Sequence, residues 1–196
     1  MTIIKRCQLF NRIPVQKILV AVSQLFNQTT LQQYYEQDFT IPNRMASESI
    51  ELLSAPFLMR LAIHPNQNLR SLFIVNSAVQ RIPETITNLR NLRFLGIDKS
   101  NIRILDLRLL CDLPKLRTLQ LHRNQISLLL PASKPSCVNS LRELLLNYNL
   151  LTTLDLALFA PFVHLERMFI EHNLMHSIVC SNQTSFPRLT LLVLGP

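Results

Sequence analysis

The stretch LRELLLNYNLLTTL (141–154) places Asn149 inside a run of leucines. An amide there is either a polar defect in a buried helix or part of a repeat whose tight turn requires it. The rest of the chain decides. Counted from Leu141, leucine stands at positions 1, 4 and 6, asparagine at 9 and an aliphatic residue at 11. The template recurs upstream in register, as Leu69-x-x-Leu72-x-Ile74-x-x-Ser77-x-Val79, then Leu92-x-x-Leu95-x-Ile97-x-x-Ser100-x-Ile102, then Leu116-x-x-Leu119-x-Leu121-x-x-Asn124-x-Ile126. Downstream come Leu165-x-x-Met168-x-Ile170-x-x-Asn173-x-Met175 and a last unit, Leu189-x-x-Leu192-x-Leu194, that stops at Pro196. The starts lie 23, 24, 25, 24 and 24 residues apart, and position 14 is apolar in every full unit (Ile82, Leu105, Leu129, Leu154, Ile178).

Over 69–196 this pattern resembles the leucine-rich repeat family, whose unit matches L-x-x-L-x-L-x-x-N-x-L. The resemblance implies an α/β fold, a leucine-rich-repeat solenoid with a curved parallel sheet on its concave face and an irregular, short-helical convex side. Period-two alternation at positions 3 to 6 gives each unit one short strand with an inward apolar face. Stacking buries those faces between neighbours. A tight turn after each strand leaves backbone groups in need of partners, and an amide that donates and accepts serves both. Asn124, Asn149 and Asn173 are therefore assigned to a structural ladder. Ser77 and Ser100 hold the same position with a shorter group, so the ladder is expected to weaken there. IPETITNLRNL (82–92) predicts a short helical turn introduced by Pro83, and PASKPSCVNS (131–140) a looser outer loop.

The remainder divides as an N-terminal segment (1–45) and an N-terminal cap (46–68) preceding five full repeats and a truncated sixth (69–196). In the cap, SESIELLSA (47–55) is expected to form a short helix halted at Pro56. LMRLAI (58–63) lies too close to Leu69 for a parallel crossover and is expected as an antiparallel capping strand. Two readings stand for 1–45. Basic residues before ILVAV and Ala21–Ser23 suit a degenerate secretion signal. Alternatively, Val15, Ile18, Leu19, Val22 and Phe26 form one face of a helix. The cut sixth unit leaves a bare sheet edge, through which the chain is expected to associate.

Composition narrows the function. The formal net charge of +8 biases the protein toward acidic partners. No run is long and apolar enough for a transmembrane helix. Few aromatics and no Trp argue against a nucleic-acid stacking platform. Only Gly96 and Gly195 are present, so no P-loop, dinucleotide fingerprint or nucleophile elbow can be written. Neither a cofactor nor a metal is expected: His172, His176 and Cys180 do not share a face, and no fourth ligand accompanies them. Cys111 and Cys137 meet if their segments stack, either as a disulfide or as packed thiols. Asn27 and Asn182 open glycosylation sequons, roughly the number that chance yields.

Solenoids bind with the concave sheet, which makes the variable positions there the candidate binding residues: Arg70, Arg93, Arg117 and Arg142 in one row, Phe73, Phe94, Leu145 and Phe169 beside them, and His122, Arg123, Tyr148 and Arg167 on the same side. The arginines are either a recognition strip or solvated groups loosely paired with Asp98 or Glu143, and single carboxylates on such a sheet are ordinarily solvated. LDLALFAPFVHLERMFIEHN (154–173) and LRSLFIVNSAVQRIP (69–83) resemble extracellular insect leucine-rich-repeat proteins, the mosquito leucine-rich immune group. That resemblance implies a secreted, noncatalytic module that forms protein complexes in innate immunity. The chain departs from the group's pattern in lacking a well-formed signal, a cysteine-rich C-terminal segment and a coiled coil. The alternative is an intracellular adaptor or enzyme regulator, which the IPETITNLRNL unit resembles.

Overall fold

A computed structural model describes residues 27–132, 137, 139–180 and 186–195. One strand from each turn of the chain joins an eight-stranded sheet: β1 (Gln28–Leu31), β3 (Ser49–Leu52), β5 (Ser71–Val75), β6 (Phe94–Asp98), β8 (Thr118–Gln120), β10 (Glu143–Leu145), β12 (Arg167–Phe169) and β14 (Leu191–Val193). Every pairing in it is parallel, in the order of the chain. Between these strands the return legs add three two-stranded parallel sheets: β2 (Asp38–Ile41) with β4 (Arg60–Ile63), β7 (Ile104–Asp106) with β9 (Leu128–Leu130), and β11 (Thr153–Asp155) with β13 (Ser177–Val179). Short 3-10 turns at Glu84–Asn88 and Leu156–Phe159 and a single helical turn, α1 (Arg108–Cys111), complete the convex side. The result is the leucine-rich-repeat solenoid that the spacing predicts.

The core lies between the two legs. Leu69, Leu92, Leu116 and Leu141 at position 1, and Leu72, Leu95, Leu119, Leu144 and Met168 at position 4, are all fully buried. Position 6 (Ile74, Ile97, Leu121, Leu146, Ile170) is at most 1% exposed. One to three residues after β5, β6, β8, β10 and β12 the chain takes a left-handed backbone, at Asn76, Lys99, Arg123, Tyr148 and His172, with φ between 48 and 57°. Side chains beyond glycine pay for that conformation, so its recurrence at position 8 of five successive units shows that the neighbouring turn imposes it.

The next residue, position 9, holds the turn. Asn124 Nδ2 donates to Ile97 O (2.7 Å) and Leu121 O (3.1 Å), while its Oδ1 accepts from Ile102 N (3.1 Å). Asn149 repeats this with Leu121 O and Leu146 O (both 2.9 Å) and Ile126 N (2.9 Å). Asn173 does so with Leu146 O (3.0 Å), Ile170 O (2.7 Å) and Leu151 N (3.0 Å). At Ser77 and Ser100 the amide column gives way to a hydroxyl chain: the two Oγ atoms are 2.7 Å apart and Ser100 Oγ donates to Asp98 O.

Residues 47–63 differ from expectation. They form no helix and no antiparallel strand. Ser49–Leu52 is β3, whose buried Ile50 and Leu52 alternate with half-buried Ser49 and Glu51, and it pairs in parallel with β5. Ser47 and Ala55 occupy positions 1 and 9 of a shorter unit, where the leucine and asparagine of the template are missing, and both are fully buried. Residues 58–63 supply β4, which pairs with β2 on the convex side. Because β4 and β5 lie in different sheets, the short HPNQN link need not carry a parallel crossover. The described part of 1–45, residues 27–45, contributes β1 and β2 to the same sheets. Both readings of the first 23 residues, and the helical face ending at Phe26, lie outside the described residues. Cys111 on α1 and Cys137 are joined by a disulfide.

Candidate recognition surface

Strand register converts the variable positions into rows. At position 3, Ser71, Phe94, Thr118, Glu143 and Arg167 are successive neighbours. At position 5 the row is Phe73, Gly96, Gln120, Leu145 and Phe169. Alternation turns these side chains away from the buried leucines onto the open face of the sheet. The candidate residues Phe73 and Phe94 thus form one apolar patch and Leu145 and Phe169 a second with Arg167 beside it, separated by the polar pair Thr118 and Gln120.

Gly96 shapes the first patch. A Cβ built there would sit 2.4 Å from Phe73 Cδ2 and 3.0 Å from Phe94 Cε1. Lacking one, the strand lets the Phe73 ring lie across its neighbour and meet Phe94 edge-to-face at 5.9 Å. The glycine is a packing seat for an aromatic pair.

Between the patches lies a group that sequence reasoning misassigned. Asp98, expected to be solvated and to neutralise an arginine, is 1% exposed. Its Oδ1 accepts from His122 N (3.2 Å), and its Oδ2 accepts from Gln120 Nε2 and lies 2.9 Å from His122 Nδ1. Burial pushes the Asp98 carboxyl up to about 7, against the opposing pull of Gln120, the His122 N–H and Lys99. Burial, with Arg123 and Lys99 adding, holds His122 below its ordinary value. The sequence signal was an acid at position 7 one strand before a histidine at the same position.

The arginine row is also paired differently from the loose partners expected. Backbone bonds link Glu48, Arg70, Arg93, Arg117, Arg142 and Glu166 across successive turns, each N–H donating to the preceding residue's O at 2.7 to 2.8 Å. The acids at its ends turn inward: Arg70 pairs with Glu48 at 3.3 Å and Arg142 with Glu166 at 3.2 Å. Glu143 takes Arg167 and also accepts from Thr118 Oγ1 at 3.1 Å. Arg93 and Arg117, both exposed, have no ion pair or side-chain hydrogen bond among the described residues.

Along the rim, the left-handed residues build a third feature. The Arg123 guanidinium sits 5.0 Å over the Tyr148 ring, whose other neighbour is the His172 ring, stacked at 4.1 Å and 16°. The ladder residues Ser77, Ser100, Asn124 and Asn149 are buried, and Asn173 is partly so. Asn27 is exposed, although the hydroxyl of its sequon, Thr29 Oγ1, is buried against Ser47 Oγ at 2.7 Å. Asn182 lies outside the described residues. No cluster of three or more metal-ligating side chains occurs among the described residues, and no helix there is long and apolar enough to cross a membrane.

Comparison with known proteins agrees on the fold. Residues 67–126 match the family model described as leucine rich repeat. No curated protein sequence matches the chain. Among solved structures, the leucine-rich repeat domain of mosquito APL1 superposes with a TM-score of 0.59 at 17% identity, covering 84% of this chain and 43% of that one. The LRIM1/APL1C complex gives a TM-score of 0.57 at 16% identity, covering 82% of this chain and 29% of that one. The chain therefore spans less than half the length of these proteins, and at such identities the likeness is one of fold.

Proposed function

We propose that this chain is a noncatalytic, secreted protein-recognition module of innate-immunity type, which binds its partner through the concave sheet. The observation that carries the reading is the paired apolar patches at Phe73–Phe94 and Leu145–Phe169, set on a rigid ladder with arginines alongside. Half-exposed aromatic and arginine side chains around a polar centre are the composition of binding hot spots. The LRIM1/APL1C assembly, a complex by its own description, supports a role in protein association for this fold. The Cys111–Cys137 bridge supports an oxidising compartment over the intracellular adaptor. The buried Asp98 carboxylate, held by Gln120 and the His122 N–H, is assigned to shaping the surface.

The test is capture from extracellular fluid and from cytosol in parallel, comparing the wild-type chain with Phe73→Ser/Phe169→Ser. Partners taken only from extracellular fluid, and lost in the double variant while its melting profile stays cooperative, are expected. Capture that persists in the variant would move the site off the concave face.

A further inference from the structure

We propose that Arg93 and Arg117 form the docking point for an acidic segment of the partner protein, two carboxylates of which bridge the pair. This deepens the concave-face reading and rests on it. Six residues share the row, and its pairing is not uniform: the outer arginines are neutralised by Glu48 and Glu166. The two carboxylates nearest its centre in the sheet are also taken. Asp98 is buried with Gln120 and His122, and Glu143 is held by Arg167 and Thr118. That leaves two adjacent guanidiniums without a counter-ion among the described residues. Their backbones are joined by the Arg117 N to Arg93 O bond of 2.8 Å, one strand spacing or about 5 Å apart.

Like charges at that distance repel, and an anionic partner relieves both at once. The spacing limits that partner. Carboxylates three or four residues apart on a helix lie about 5–6 Å from one another, and alternate residues of a strand about 6.6 Å. Either presents two acids to the pair. Arg93 is followed directly by Phe94, which with Phe73 forms the edge-to-face pair on the open face, so an apolar residue next to the acids has a place to sit. The ligand class is a short protein segment carrying two closely spaced Asp or Glu beside an aromatic or aliphatic side chain.

The probe is a displayed library of random short peptides, selected in parallel against three proteins: wild type, Arg93→Gln/Arg117→Gln, and Arg81→Gln/Arg103→Gln. The last removes the same charge from the convex flank. Wild type and the flank variant are expected to enrich peptides with paired acids at those spacings. The Arg93/Arg117 variant should lose the enrichment, and the selected peptides should bind it about tenfold more weakly, the equivalent of two exposed ion pairs. Raised salt should shrink that difference. Equal loss in both variants would reduce the effect to net charge and overturn the proposal, as would enrichment without acids. So would a sulfated oligosaccharide that binds through these arginines where no peptide does. If Phe73→Ser/Phe169→Ser abolishes partner capture while Arg93→Gln/Arg117→Gln leaves it intact, the concave reading stands and the acidic docking point falls. If neither change matters, both fall.

Discussion

Asn149→Ala removes one rung of the ladder, and its cost follows from which bonds have substitutes. Leu121 O loses Asn149 Nδ2 but keeps Asn124 Nδ2 at 3.1 Å, and Leu146 O likewise keeps Asn173 Nδ2 at 3.0 Å. Ile126 N has no such reserve, since its acceptor is Asn149 Oδ1 at 2.9 Å. A residue only 4% exposed lets little water in to replace it. One orphaned donor costs about 1–3 kcal/mol, and two weakened acceptors add less, so the expected loss is about 2–3 kcal/mol. Tyr148→Ala, one residue away, removes the stack on His172 and the contact with Arg123 from a side chain that is 41% exposed. It should cost under about 1 kcal/mol. Urea unfolding followed by circular dichroism, with unchanged m-values, measures both. Equal losses would refute the ladder as the source of turn stability.

Asp98 gives a pH signature. Its folded-state value of about 7 lies above the ordinary carboxyl value of 3.8. The folded protein therefore holds a proton that the unfolded chain releases, and this contribution is full below 3.8 and lost as pH rises toward 7. His122, lowered, works in the opposite sense just below 6.5. Asp98→Asn should flatten the decline in stability between about pH 4 and 7 relative to wild type, and an unchanged profile would remove the buried acid from the account. Gly96→Ala should displace the Phe73 ring and destabilise by about 1 kcal/mol, with Phe73→Ala in the same chain removing most of the clash, as thermal melts would show. Reduction, or Cys111→Ser/Cys137→Ser, opens a bridge spanning 26 residues and should cost about 3 kcal/mol, read as a lower melting temperature.

From Leu69 onward the fold was legible in the sequence because every unit spells its core with leucine or a close substitute at positions 1, 4 and 6. Before Leu69 the same architecture is written in other residues. Ser47 and Thr29 fill buried positions by bonding each other, and Ala55 and Tyr34 stand where asparagine would. Burial there is satisfied by a hydroxyl pair and by ring packing, which no leucine template detects. At the site, the rows of Phe73, Leu145 and Phe169 followed from period two alone. The Asp98 cluster did not, because its burial comes from side chains of the next turn, Gln120 and His122, closing over it. Nor did the pairing of the arginines: whether Arg93 or Arg142 finds a carboxylate depends on which turn supplies Glu48, Glu143 or Glu166.

The central claim is that the partner lies on the open face of the eight-stranded sheet. Site-specific photo-crosslinking tests it most directly, with a photoreactive residue placed at Gln120 in the middle of that face or at Leu128, which is 47% exposed on β9 of the convex side. A crosslinked partner at Gln120 and none at Leu128 is the predicted result. Crosslinking at Leu128 with none at Gln120 would contradict the account.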